Sequence, residues 1–191
     1  INQAKPNPTN SLLILGMGGI GFSAFIMAIA LGIKRLAVID INDSKLAIAK
    51  KLGAEFVYNA NQNNLKNLVL NDLREGYDFC IESAGLTKTI ELGFDLINKE
   101  HGQLFFASHP PHDEKIALTP HELISGKKIF GSWGGEVNPD KDIPLIWNLI
   151  RKNGTNLNDF IQKEYSLDCI NLALQDLDEG KALRPLIKME H

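Results

Sequence analysis

The sequence predicts an α/β protein built on a doubly wound parallel six-stranded sheet with the strand order 3-2-1-4-5-6. Residues 11–40 are typical of a buried strand, a glycine turn, an apolar helix and a second strand. Four further short apolar stretches then alternate with helical patterns up to residue 133. The chain has 191 residues, of which 44% are hydrophobic and 23% charged, enough apolar material for one good core and a small α/β appendage.

The turn after the first strand has the spacing GxGxxG, with Gly16, Gly18 and Gly21 between a strand at 12–15 and a helix at 20–31. The first glycine lets the chain leave the strand, and the second removes the Cβ that would hold a pyrophosphate away from the backbone. The third lets the helix lie close on the strand. The N–H groups and the positive dipole end at the helix start favour anions. This stretch therefore predicts a diphosphate ligand.

An acidic residue ends the second predicted strand. Asp40 follows Gly21 by 19 residues, where a carboxylate accepts both hydroxyls of an adenosine ribose. Lys45 lies one helical turn further on and can reach a ribose, although a solvated first-turn lysine explains it equally well. Ile41 and Asn42 offer no positive charge to a 2′-phosphate. We therefore expect an adenine dinucleotide, and NAD in preference to NADP.

The remaining elements follow in chain order. We expect strands at 55–58, 78–82, 103–107 and 128–132, and helices at 44–53, 65–73, 87–97 and 119–125, the third capped by Thr87. Beyond Trp133 we expect a helix at 143–152, a strand at 160–165, a helix at 167–177 and a strand at 185–189. The chain then divides into a linker at 1–10, a dinucleotide-binding domain at 11–133 and a C-terminal segment at 134–191.

Composition and charge argue against several classes of protein. A net charge of −3 gives no basic face for nucleic acid. Residues 12–33 carry no charge and are long enough to span a bilayer, but four crowded glycines and the strand-like RLAVID favour a buried layer and no membrane. Cys80 in a core strand and Cys169 near a helix start indicate unpaired thiols, so we expect a reducing cytoplasm.

The chain resembles the cofactor-binding half and C-terminal return of the medium-chain, zinc-type alcohol dehydrogenases. The resemblance covers nearly the whole chain and is carried by KPNPTNSLLILGMGGIG, VIDINDSKLAIAKKLGA, DFCIESAG, GKKIFGSWGGEVNPDKDIP and EGKALRPLIKM. It implies that Gly16, Gly18, Gly19, Ile20 and Gly21 cradle the pyrophosphate, that Asp40 and Lys45 hold the ribose, and that Arg184 reaches back to a phosphate. It also implies that Ser83, Ala84, His109, Ser132 and Trp133 lie near the adenine or nicotinamide.

In that family zinc is held by cysteine, histidine and acidic ligands on an N-terminal domain, and a second zinc by four cysteines. This sequence has two cysteines 89 positions apart and neither CxxC nor HExxH. His109 and His112, in HPPH, are expected to be solvated loop histidines. The resemblance therefore implies the NAD-binding half of an alcohol or polyol dehydrogenase. Zinc would lie in a missing catalytic domain, the substrate would be an alcohol or aldehyde, and this fragment alone would be inactive.

Two other functions remain open from the sequence. One is a stand-alone NAD-binding or sensing module without catalysis. The other is an S-adenosylmethionine-dependent methyltransferase, which predicts a seventh, antiparallel strand. A short-chain reductase is disfavoured because Tyr58, Tyr77 and Tyr165 have no lysine four residues later. The last predicted strand presents an unpaired edge, so we expect a homodimer through residues 128–133, unless Lys127 and Lys128 simply protect that edge.

Overall fold

The computed structural model describes residues 1–154, 163–182 and 184–189. Six parallel strands form one sheet in the order β3-β2-β1-β4-β5-β6, which confirms the predicted topology. The strands are β1 (Ser11–Leu15), β2 (Arg35–Asp40), β3 (Phe56–Asn59), β4 (Phe79–Glu82), β5 (Gln103–Phe106) and β6 (Lys128–Gly131). The helices between them are α1 (Gly19–Ala30), α2 (Asp43–Leu52), α3 (Leu65–Asp72), α4 (Thr87–Leu96) and α5 (Pro120–Ile124).

Apolar residues on the two faces of β1 build two separate core layers, as expected when helices cover both sides of a parallel sheet. Leu12 and Ile14 pack in the layer that contains Phe22 and Phe25 of α1. The alternate residues, Leu13 and Leu15 among them, pack in the layer that contains Phe94 of α4. This alternation fixes the register of the central strand, because a shift by one residue would exchange the two layers.

The carboxyl ends of the parallel strands meet at one edge of the sheet. Leu15 at the end of β1 is in register with Ile39 of β2 on one side and with Glu82 of β4 on the other. Chain connections leave β1 and β4 toward opposite faces, which opens a crevice between these two strand ends. Ligands of doubly wound sheets bind in such a crevice.

The C-terminal part forms a second, smaller α/β unit, as predicted. It contains α6 (Pro139–Lys152), β7 (Lys163–Ser166), α7 (Ile170–Asp178) and β8 (Pro185–Lys188). β7 and β8 pair in parallel as a two-stranded sheet. Buried Asp176 of α7 joins this unit, since its Oδ2 accepts hydrogen bonds from Lys163 Nζ at 2.5 Å and from Tyr165 Oη at 2.6 Å.

Two local predictions were wrong, and edge protection, the alternative to a homodimer, does not hold for Lys127. Thr87 does not cap α4: the helix begins at Thr87 and Leu86 occupies the N-cap position without a side-chain bond. α6 begins at Pro139, four residues early, because the Asp142 carboxylate accepts from the Asn138 N–H at 2.6 Å. Lys127 does not protect the sheet edge, since its buried Nζ donates to Phe94 O and pairs with Glu122, each at 2.7 Å.

The strand predicted at 160–165 lies partly outside the described residues, and its described part belongs to β7. Cys80 is buried and Cys169 exposed, and both are free thiols, as predicted. In the part of the chain that the structure describes, no helix is both long and apolar enough to traverse a bilayer.

Candidate functional site

The turn between β1 and α1 can be formed only with glycine at two positions. Gly16 has a φ of +88°, and its N–H donates to Ile39 O at 2.8 Å. A Cβ on Gly21 would lie 1.8 Å from Gly16 O and 2.5 Å from Ser83 Oγ, so the helix can approach the strand only without a side chain there. The close approach predicted for the third glycine is therefore a property of the fold itself.

Gly18 has a different environment. Its φ is −76°, which any residue adopts, and a Cβ built on it would meet nothing within 4 Å. The space above Gly18 is open, and α1 begins beside it without an acidic residue in its first turn. The first N–H groups of a helix have no partner within the helix. They and the helix dipole therefore leave a site for an anion at this position.

Arg184 reaches the same turn from the C-terminal unit. A Cβ on Gly19 would lie 3.4 Å from Arg184 Cζ and from one of its terminal nitrogens, so the guanidinium group rests against the glycine backbone. Arg184 precedes β8 and is exposed. A guanidinium group beside helix N–H groups complements phosphate oxygens.

Asp40 connects the turn to β2. The buried carboxylate accepts from Met17 N at 2.5 Å through Oδ2 and from Asn42 N at 2.8 Å through Oδ1. The residue predicted to hold a ribose therefore also holds the glycine turn in place. Each carboxylate oxygen has a second lone pair, which remains available for a hydroxyl group.

A cavity of about 310 Å³ lies in the crevice beside Asp40, and we call it the Asp40 cavity. Six predicted site residues line it: Gly16, Gly18, Asp40, Lys45, Ser83 and Ala84. Ser83 Oγ donates to Leu15 O at 3.0 Å and Gly16 O at 2.9 Å, which fixes the end of β4 against the glycine turn. Lys45 is half-buried at the wall of the cavity.

Apolar residues that the sequence analysis missed complete this cavity. Ile41 and Leu86 both line it, and they are 69% and 56% exposed. Ile41 directly follows β2 and Leu86 lies four residues beyond β4, so both stand at the ends of the two strands that flank β1. This position after the strand ends was the sequence feature that could have identified both residues as part of the site. Two exposed apolar side chains facing a cavity suit a planar ring better than water.

The other predicted residues lie further along the same edge of the sheet. Ile20 and Ser132 line a second cavity of about 280 Å³, which we call the Ser132 cavity. His109 and Trp133 pack edge to face, with ring centroids 4.5 Å apart. The structure thus distributes the predicted site residues over two cavities, one aromatic pair and the glycine turn with Arg184.

Glu82 is a polar group of the site that sequence reasoning did not single out. It ends β4 with its side chain fully buried, and four groups donate to its carboxylate: Ala84 N, Gly85 N, Thr89 Oγ1 and Ser108 Oγ. The signal was present in the sequence as one acidic residue that ends an apolar strand, FCIE, before small residues.

Metal ligands are not assembled at this site. Within the described ranges, no group of three or more histidine, cysteine, aspartate or glutamate side chains is arranged to hold a metal ion. His112 is exposed beside Asp113, its neighbour in the chain. Burial, together with the nearby Glu82 carboxylate, raises the pKa of the Cys80 thiol well above its usual value, so Cys80 stays protonated.

Comparisons of sequence and of structure both relate this chain to dehydrogenases. Residues 19–152 match the family model described as zinc-binding dehydrogenase. The chain is 30% identical over 189 residues to alcohol dehydrogenase class-2 isozyme 2 of Oryctolagus cuniculus, which covers 98% of this chain and 50% of that protein. Alcohol dehydrogenase 2 of Zea mays is 28% identical over 192 residues, covering 100% of this chain and 51% of that protein.

Solved structures agree with these relatives. Benzyl alcohol dehydrogenase from Acinetobacter calcoaceticus superimposes with a TM-score of 0.91 at 28% identity, over 98% of this chain and 51% of that one. An alcohol dehydrogenase zinc-binding domain protein from Burkholderia ambifaria gives 0.89 at 26% identity, over 97% and 50%. The chain thus spans about half the length of the relatives it matches. It belongs to the zinc-binding dehydrogenase family.

Proposed function

We propose that this chain binds NAD and is the cofactor-binding part of a zinc-dependent alcohol or polyol dehydrogenase. One observation carries the proposal. The buried Asp40 carboxylate at the end of β2 is hydrogen-bonded to the glycine turn, and both line the same cavity. The glycine turn offers N–H groups for a diphosphate and the carboxylate offers oxygens for a ribose.

The pyrophosphate part of the site would consist of the backbone of Gly18, Gly19, Ile20 and Gly21 together with Arg184. The open space above Gly18 admits a ligand to the backbone, and the Arg184 guanidinium group already lies against Gly19. The backbone N–H groups supply partial positive charge to the anion, and the guanidinium group supplies a full positive charge. Positive charge from both sources supports a diphosphate over a neutral ligand.

The adenosine part would occupy the Asp40 cavity. Asp40, with Lys45 beside it, would hold the ribose hydroxyls, and Ile41 and Leu86 would flank the adenine ring. A 2′-phosphate would meet the Asp40 carboxylate, and Ile41 and Asn42 supply no compensating charge. This arrangement supports NAD over NADP.

The nicotinamide part would lie toward the Ser132 cavity, where His109 and Trp133 are close by. Bound NAD supplies hydride acceptance at its nicotinamide ring. The residues of this chain orient the cofactor, and none of them is proposed to move a proton or to touch the alcohol. Zinc would be held outside the described residues, since these assemble no set of zinc ligands.

The remaining proposals concern the whole enzyme. α6 and α7 carry exposed apolar side chains, among them Ile143, Trp147 and Leu174. These side chains support a C-terminal segment at 134–191 that returns toward a catalytic domain, after a linker at 1–10 and a cofactor domain at 11–133.

The substrate of the whole enzyme would be an alcohol or aldehyde. The enzyme would be located in the cytoplasm, and this chain by itself would be inactive. The unpaired edge of β6 supports a homodimer.

The methyltransferase alternative predicts a seventh, antiparallel strand on the main sheet. In the described part of the chain β7 pairs with β8 in parallel and apart from that sheet, which supports the dehydrogenase instead. A binding module without catalysis makes the same binding prediction as the enzyme. The two differ in whether the protein, at full length with zinc, oxidises an alcohol with NAD.

The binding proposal is tested by titrating the chain with NADH and with NADPH while following nucleotide fluorescence. We expect NADPH to bind at least about tenfold more weakly, since its extra phosphate would face a carboxylate at short range. The variant Asp40→Ala should lose affinity for NADH and narrow the difference between the two nucleotides. Equal affinity of the unaltered chain for both would contradict the proposal.

A further inference from the structure

Glu82 is a charged residue inside the core that the proposed function does not use. It ends β4 between Leu15 of β1 and Phe106 of β5, and its side chain is fully buried. Burying a carboxylate is unfavourable unless hydrogen bonds replace the water it loses. None of the ion pairs among the described residues involves Glu82, so neutral donors must supply this replacement.

The donors come from three separate segments of the chain. Oε1 accepts from Ala84 N at 2.8 Å and Gly85 N at 2.9 Å, both in the turn after β4. It also accepts from Thr89 Oγ1 at 2.8 Å, in the first turn of α4. Oε2 accepts from Ser108 Oγ, in the loop after β5. One buried carboxylate therefore fixes the turn, the helix start and the loop relative to one another.

Two of these segments, the turn after β4 and the start of α4, line the Asp40 cavity beside the glycine turn. A Cβ on Gly16 would lie 2.9 Å from Ala84 N, which shows how closely the 83–85 turn approaches it. Ser83, Ala84 and Thr89 all line the cavity. A displacement of the turn after β4 would therefore change the width of the cavity beside Asp40.

We propose that Glu82 is a positioning residue for dinucleotide binding. Its carboxylate holds the 83–85 turn and the start of α4 against the glycine turn, so that the Asp40 cavity exists before the ligand arrives. A preformed cavity binds more tightly because the ligand does not have to order it. This inference rests on the proposed function, and Glu82 acts through its neighbours without touching the ligand.

The test compares Glu82→Gln with Glu82→Leu by NADH fluorescence titration of the chain. In Glu82→Gln the amide oxygen still accepts from Ala84, Gly85 and Thr89, and the Ser108 hydroxyl can turn to accept from the amide nitrogen. Its Kd should stay within about threefold of the unaltered chain. Glu82→Leu has a similar volume but no acceptor, and its Kd should rise about tenfold or more.

Asp78→Asn is the matched control, because it alters a partly buried hydrogen-bonding carboxylate that directly precedes β4, at the end opposite the cavity. Urea unfolding measures the stability of every variant, and the NADH titration measures its Kd. Asp78→Asn should lose stability and keep its Kd within about twofold. An unchanged Kd in Glu82→Leu, or an equal loss of affinity in Asp78→Asn, would overturn the positioning role.

If Glu82→Leu does not fold, Thr89→Val decides the question, because it keeps the side-chain volume and removes the donor that links Oε1 to the start of α4. A Kd raised about threefold supports the inference and an unchanged Kd overturns it. Absence of NADH binding by the unaltered chain would overturn the proposed function and this inference together. Binding by that chain with no effect of Glu82→Leu would overturn the inference alone.

Discussion

Gly18 and Gly21 occupy the same turn, but their surroundings assign them different tasks. Gly21 faces Gly16 O and Ser83 Oγ at distances that no Cβ tolerates, whereas Gly18 faces open space. Gly21 is therefore required by the packing of α1 on β1. Gly18 is required only if a ligand occupies the space above it.

This contrast gives a prediction. Gly21→Ala should destabilise the chain by about 3 kcal/mol or more, because α1 must move away from β1. Gly18→Ala should change the unfolding free energy by less than about 1 kcal/mol and yet weaken NADH binding about tenfold or more. Urea unfolding and NADH titration of the two variants measure both effects. A Gly18→Ala variant that binds NADH normally would show that the ligand does not approach the backbone there.

The residues that sequence reasoning found and missed differ in the kind of signal they leave. Gly16, Gly18 and Asp40 have fixed spacing relative to strand ends, so their place in one cavity could be predicted. Glu82 and Leu86 depend on what the neighbouring segments present, and only the folded chain shows that Ser108 and Thr89 converge on Glu82. A local sequence pattern does not predict contacts between separate loops.

Strands and helices were predicted where apolar periodicity is strong, and their order was correct. Every residue of β1 and β4 is buried, which leaves little freedom for another arrangement of the central strands. The start of α6 was misplaced because it depends on Pro139 and on the Asp142 side chain instead of an apolar stripe. Such single side-chain hydrogen bonds decide where a helix ends, and the periodicity of apolar residues does not predict them.

At the scale of elements, hydrogen bonds to Asp78 join the amino ends of β1 and β4. Its Oδ2 accepts from Ser11 N at 2.8 Å and Ser11 Oγ at 3.1 Å, and its Oδ1 contacts His101 Nε2 at 2.8 Å. Burial alone would raise the pKa of Asp78, but the hydrogen bonds from Ser11, His101 and Asn10 outweigh it and the pKa lies below 3.8. The folded chain therefore favours the ionised form.

Asp78→Asn should lower the unfolding free energy by about 1–2 kcal/mol at pH 7, since hydrogen bonds to a charged carboxylate are replaced by weaker ones to a neutral amide. A lowered folded-state pKa gives stability that is present above pH 4 and is lost as the pH falls through that pKa. The difference between the variant and the unaltered chain should therefore shrink below about pH 4. Urea unfolding between pH 3 and pH 7 measures it.

Asp95→Asn is the control, because Asp95 forms an exposed ion pair with Lys66. Its effect at pH 7 should stay within about 0.5 kcal/mol. A loss in Asp78→Asn that is the same at pH 3 and pH 7 would contradict the role of the Asp78 charge.

At the scale of the whole molecule, exposed apolar surface is concentrated on the C-terminal unit and next to the end of β6. Trp147 on α6 is 50% exposed and Trp133, directly beyond β6, is 83% exposed. Large exposed apolar side chains gathered in one region are typical of interaction surfaces. The two tryptophans belong to different elements of the fold, so they can be tested separately.

β6 is the last strand of the sheet and pairs with β5, so its outer backbone groups are available to a second copy. Two copies related by a two-fold axis would pair β6 with β6 in antiparallel fashion. If residues 128–133 pair over their whole length, Trp133 of one copy faces Lys128 of the other. Like charges directly opposite each other on paired strands are destabilising.

We therefore expect light scattering at tens of micromolar to give twice the 21.1 kDa mass of one chain. Trp133→Lys would place two lysines opposite each other at both ends of the paired strands, and it should shift the chain to the monomer. Trp147→Lys makes the same substitution on α6 and should leave the dimer intact. A monomer in the unaltered chain, or equal dissociation by both variants, would show that the β6 edge is not the dimer contact.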